Sequence, residues 1–125
     1  MVFMLKVHAK KLGNVTVLCL QGQIVNGETK ALRDSMNSML QTSVLILDFS
    51  RVTTVDAHGL GVLLELRAQT EENGIRFKLI NVSKHLLKVF EITRLDTVFQ
   101  ISSAVEFFPA AASHRAMMQA LKSCA

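Results

Sequence analysis

The most constraining stretch of this chain is Val44-Leu45-Ile46-Leu47-Asp48-Phe49, a continuous apolar run carrying one acid near its end. A strand that is apolar in both phases must be covered on both faces, which is the pattern of an inner strand in a parallel sheet. Parallel neighbours need crossover connections, so helices must alternate with the strands. The preceding segments supply a hairpin and a helix. Residues 2–8 alternate loosely, Val15-Thr16-Val17-Leu18-Cys19-Leu20 is a β-branched run, and Lys11-Leu12-Gly13-Asn14 between them reads as a turn. Gln21-Gly22-Gln23 leaves the second strand. Asn26 is then placed to cap a helix from near Gly27, with Leu32, Ser35, Met36, Met39 and Leu40 on one face.

After the apolar run come Val52-Thr53-Thr54-Val55 and a helical segment from Asp56 to about Asn73. In that helix Ala57, Leu60, Gly61, Leu64 and Ala68 share a face, which Leu63 and Leu66 widen. Asn73-Gly74 is a stop signal. Arg76–Ile80 reads as a strand, Ser83 as the cap of a helix carrying Leu86, Val89 and Phe90, and Val98–Ile101 as a last short strand. Ser103-Ala104-Val105-Glu106 has the form of a capping box, and Pro109 starts a final helix to about Lys122 with Met117, Met118 and Leu121 on its apolar edge. The expectation is one α/β domain. An N-terminal β-hairpin leads into a mainly parallel mixed sheet of about five strands with four or five helices, and residues 109–125 form a helical extension of the domain in 1–108.

Composition removes several function classes. Half the residues are hydrophobic, which excludes disorder. Lys6, Lys10, Asp48, Arg51 and Asp56 break every run short of the ~18 residues of a membrane span, so no membrane insertion is expected. Met1–Leu5 is too short for a signal-peptide core, which makes the expected location cytoplasmic. The net charge of +4 is mild, Trp and Tyr are absent, and most of the seven Phe read as core, so nucleic acid is not an expected partner. Two cysteines make no disulfide framework: Cys19 reads as a small core residue and Cys124 as exposed.

Catalytic chemistry finds no footing either. Asp48 resembles the phosphoacceptor of a receiver domain, but Gln21-Gly22-Gln23 lacks the acid pair that would hold Mg²⁺, and Gln100-Ile101-Ser102 lacks the lysine. There is no phosphate-binding loop ending in Gly-Lys-Ser/Thr and no Gly-x-Ser-x-Gly elbow. His8, His85 and His114 are dispersed, and His114 with Met117 and Met118 reads as packing rather than as a metal site. No enzyme, cofactor or metal is expected.

The segment Leu45–Leu64, with its Asp56-Ala57-His58-Gly59-Leu60-Gly61 turn, closely resembles the signature of STAS domains, the anti-sigma-factor antagonist family. The likeness continues through Phe77–Val82 and Val89–Asp96 and covers roughly residues 15–106. It implies a protein that docks an anti-sigma factor of GHKL-type serine kinase fold. The implied surface is Thr54, Asp56, Ala57, His58, Gly59, Leu60 and Gly61, bordered by the loop from Gly22 to Asn26. In the family the residue before the first Gly of this turn is usually a serine or threonine that the kinase phosphorylates. Here it is His58. Three readings stay open: His58 as a plain contact residue without a phospho-switch, a switch moved to Thr53, Thr54 or another hydroxyl, and a functional imidazole. An ABC-type lipid-transport ATPase is the alternative partner, and a homodimer remains open. Two further departures are Gln23-Ile24-Val25-Asn26, where the family often has an acid, and Arg94, where it commonly has Gly; a slightly reshaped turn is expected there.

Overall fold

A computed structural model describes residues 5–37 and 42–102. It contains β1 (Lys6–Leu12), β2 (Val15–Ile24), α1 (Lys30–Asn37), β3 (Val44–Val55), α2 (Ala57–Glu72), β4 (Arg76–Ile80), α3 (Lys84–Ile92) and β5 (Gln100–Ser102). The five strands form one sheet in the order β1-β2-β3-β4-β5; β1 and β2 are antiparallel, and every later pair is parallel. This is the expected hairpin-led mixed sheet. Three helices lie among the described residues against the four or five expected. The capping box at Ser103, the helix from Pro109, and Met39 and Leu40 lie outside those residues.

Two segments differ from the sequence reading. Gln21-Gly22-Gln23 does not leave the sheet, because β2 runs on to Ile24 beside the second half of β3. The register shifts between Cys19 and Gln21 and again between Gly22 and Gln23, each time letting β3 advance one extra residue. The core-facing residues of β3 accordingly run Leu45, Leu47 and Phe49, and then step by three to Val52 and Val55. Asn26 is not the cap of α1. The helix starts at Lys30, and its first bond runs from Arg33 N–H to the carbonyl of Thr29; Gly27, at φ +90°, belongs to the loop before it.

The helices cover one face of the sheet. Leu32 of α1, Leu63 and Leu66 of α2, and Leu86 and Phe90 of α3 meet Leu45, Leu47 and Leu79 in one buried cluster. Phe90 joins the layers: its ring stands edge-on to Phe49 at 6.3 Å and to Phe99 at 5.7 Å. The face of α2 differs from the expected one. Gly59, Leu60, Val62, Leu63, Leu66 and Thr70 are buried, while Ala57, Gly61, Leu64 and Ala68 are exposed.

Both long helices end in the same motif. At the end of α2, Gly74 N–H donates to Glu71 O and Ile75 N–H to Thr70 O, with Gly74 at φ +68°. At the end of α3, Arg94 N–H donates to Glu91 O and Leu95 N–H to Phe90 O, with Arg94 at φ +60°. Arg94 thus holds the left-handed conformation that a glycine adopts freely. Asp48 is 3% exposed, and its Oδ1 accepts from both Ser50 N–H and Asn81 Nδ2, so this carboxylate is buried and ties the end of β3 to the loop after β4.

Two outcomes are expected in urea titrations. Phe90→Ala should cost about 3–5 kcal/mol, since it empties the centre of the aromatic cluster. Arg94→Gly should gain roughly 0.5–1 kcal/mol, because the left-handed cost disappears while part of the gain is lost to a freer unfolded chain.

Candidate functional site

The end of β3 and the start of α2 form the turn that the sequence singled out. Asp56 is the N-cap of α2, with extended backbone at φ −97° and ψ −177°. Its Oδ1 accepts from Gly59 N–H at 2.8 Å, the ordinary capping bond. Its Oδ2 accepts from Asn26 N–H at 3.1 Å, which reaches into the loop after β2. Asp56 N–H in turn donates to the carbonyl of Ile24 at 3.3 Å. One residue therefore closes a helix end and fastens a neighbouring loop to it.

Gly59 explains how close these segments lie. A Cβ on Gly59 would overlap the carbonyl oxygen of Ile24, so only glycine fits against the end of β2. The backbone that Gly59 admits belongs to this same chain. Gly61 has no such neighbour: a Cβ there would meet nothing within 4 Å. Thr53 adds a second tie, with its hydroxyl donating to Gly22 O at 3.3 Å, where Gly22 takes φ +117°.

The expected surface residues fall into two groups. Asn26, Thr54, Ala57, His58 and Gly61 are exposed, and Gly22 and Asp56 are partly so. Gly59 and Leu60 are buried beneath them. His58 sits at the second position of α2, exposed and close enough to Asp56 for its charge to be felt there. Among the described residues no three His, Cys, Asp or Glu side chains come together in a way that could hold a metal ion. Ile24 was not singled out from the sequence. Its signal was Gly59, whose missing side chain announces a close backbone without saying whose.

The electrostatics of the turn favour an anion on Asp56. The Gly59 amide, then the Asn26 amide, hold its carboxyl below the ordinary value of 3.8; partial burial opposes them, and the nearby His58 adds to them. A carboxyl whose folded pKa lies below its unfolded one stabilises the fold fully above the unfolded value, and that contribution is lost as pH falls through the folded value. Asp56→Ala should therefore cost about 1 kcal/mol at neutral pH in urea titration. Asp56→Asn, which keeps an acceptor for the Gly59 amide, should remove this residue's share of the stability lost on acidification below pH 3.8.

The geometry can present a small exposed surface on a rigid frame, and similar frames are known. The family model of the STAS domain matches residues 6–108. BtrV of Bordetella bronchiseptica, named as an anti-sigma factor antagonist, is 23% identical over 109 residues, covering 86% of this chain and 94% of BtrV. The anti-sigma factor antagonist SpoIIAA in its unphosphorylated form superposes with a TM-score of 0.69 at 20% identity, covering 82% of this chain and 93% of that one. A sulfate transporter family protein from Wolinella succinogenes superposes at 0.64 with 22% identity, covering 88% and 92%. The hairpin-led sheet, the capped turn at Asp56 and the extent of the family match lead to one conclusion: the chain belongs to the STAS domain family.

Proposed function

We propose that this chain is a non-enzymatic regulator of the anti-sigma-factor antagonist type, acting in the bacterial cytoplasm. It binds an anti-sigma factor of GHKL-type serine kinase fold through the Asp56–Gly61 turn and the Gly22–Asn26 border. One observation carries this reading: His58, Ala57 and Gly61 are exposed on a helix start that Asp56 locks to the neighbouring loop. Such a surface is pre-organised, so docking costs little ordering. The likeness to BtrV and SpoIIAA, both called anti-sigma factor antagonists, supports the choice of partner.

The usual serine switch is absent in this reading, because His58 brings no hydroxyl to the turn. A relocated switch would favour Thr54 over Thr53. Both are exposed, but the Thr53 hydroxyl donates to Gly22 O, whereas the Thr54 hydroxyl makes no hydrogen bond among the described residues. The same lack of a hydroxyl also suits a subunit that steadies an ABC-type lipid-transport ATPase without phosphorylation. The two readings part on the partner that co-purifies with the chain.

Affinity capture from source cells with mass spectrometry should recover a GHKL-type kinase; an ABC ATPase in its place rejects the antagonist reading. With the partner in hand, His58→Asp and His58→Glu should weaken binding by tenfold or more, and His58→Ser should stay near the native affinity. Acids at the second position of α2 favour the positive helix end, so the melting temperature should hold or rise in these variants. Loss of binding would then come from charge at the docking face. Equal affinity for all three would place the interface elsewhere.

A further inference from the structure

A cleft of about 170 Å³ lies at the end of α2 remote from the Asp56 turn. Three segments meet there: the last two turns of α2, the start of β4 and the approach to β5. Every residue that lines it belongs to the described part of the chain. The floor is apolar. Ile75 and Phe77 are buried and Val98 is half-buried, and the Phe77 ring is steadied by Phe99, with centroids 6.2 Å apart. The wall is charged: Arg67, Glu71 and Arg76 line it, two cations against one acid. A single aromatic ring suits such a volume, since an apolar cavity of about 150 Å³ takes up benzene.

Arg67 is held in place without using its recognition edge. Its Nε donates to the carbonyl of Val98 at 3.0 Å, which fixes the guanidinium plane and leaves the Nη edge. On that edge only Nη1 is engaged, at 3.4 Å from a Glu71 side chain that is 71% exposed. An ion pair this long and this exposed contributes little. Among the described residues Nη2 has no partner, and the Arg76 guanidinium makes no hydrogen bond or ion pair. The Nη edge of an arginine matches a carboxylate, with two donors facing two oxygens. A bare helix C-terminus would repel an anion here, but the carbonyls of Gln69, Thr70 and Glu71 already accept from the backbone of Asn73, Ile75 and Gly74.

We propose that this cleft binds a small aromatic carboxylate, one ring bearing one acid group. The carboxylate takes the Nη edge of Arg67 in place of Glu71, the ring lies on Ile75, Phe77 and Val98, and Arg76 adds positive charge at the rim. Counted along α2, the site lies about 15–20 Å from Ala57, so its ligand does not cover the surface proposed for the partner. The assignment stands independently of that partner's identity.

Benzoate is the probe, titrated into the full-length protein at low salt and followed by amide shifts in two-dimensional NMR. It should bind with a Kd of about 1 mM or tighter, shifting the amides of Glu71, Ile75, Phe77 and Val98. Benzyl alcohol, which keeps the ring, and acetate, which keeps the acid, should each bind at least about tenfold more weakly. Arg67→Met should weaken benzoate by a similar factor, but it also removes the tie to Val98. Glu71→Gln leaves that tie in place. By removing the competing acid it should tighten benzoate about two- to fivefold, an effect that a merely structural Arg67–Glu71 pair would not produce. No saturable binding of benzoate, or shifts confined to other parts of the chain, would overturn the proposal. Equal binding of benzyl alcohol would remove the role of Arg67, and equal binding of acetate would remove that of the apolar floor. Unchanged or weaker binding to Glu71→Gln would reject the exchange of one carboxylate for another. Each of these results overturns the site as proposed.

Discussion

The strand β3 cannot be solvated on either side, and the rest of the molecule answers that constraint. Leu45, Leu47 and Phe49 face the helices while Ile46 faces the other way, and all four are at most 1% exposed. Burying a side chain of this size contributes about 1.5–3 kcal/mol, so a strand of this composition left bare on one face would forfeit a large part of the domain's stability. Two parallel neighbours and three helices on one face are how the described residues meet that demand. The connectivity follows from it, because parallel partners can be reached only by crossovers.

The surface proposed for the partner grows from the far end of the same strand. Two register shifts let β3 gain on β2 and carry Val55 and Asp56 to the level of Ile24, where the strand hands over to α2. There Asp56 does two jobs with one carboxylate, capping the helix through Gly59 and holding Asn26. Gly59 lets the two backbones close up. The result is an exposed pair, Ala57 and His58, whose position is fixed by hydrogen bonds beneath it rather than by its own packing. A surface of this kind tolerates replacement of its outermost side chain without loss of the fold.

Several features were legible because their physics is local. The hairpin turn, the Ser83 cap of α3, the Asp56 cap of α2 and the stop at Asn73-Gly74 each depend on a few adjacent residues and were readable in order. Arg94 was legible only as a departure. The structure shows that the turn keeps the conformation glycine favours and that Arg94 bears its cost, with Leu95 still packed on the core beneath. The failures were of another kind. In α2 the apolar residues Leu60, Val62, Leu63, Leu64 and Leu66 lie all round the helix, so periodicity does not select a face. The sheet below selected it, burying Leu63 and Leu66 and turning Leu64 to solvent.

The sequence by itself determined the order of strands and helices, their caps, and the strand–acid–helix junction with its Gly59, because propensity, capping and apolar runs act over a few residues. Only the tertiary structure decided that Gln21–Ile24 stays in the sheet, that Ile24 is the backbone Gly59 must clear, and that Asp56 reaches across to Asn26. Those contacts join residues about thirty positions apart, and they exist only once β2 and β3 lie side by side with their register shifted.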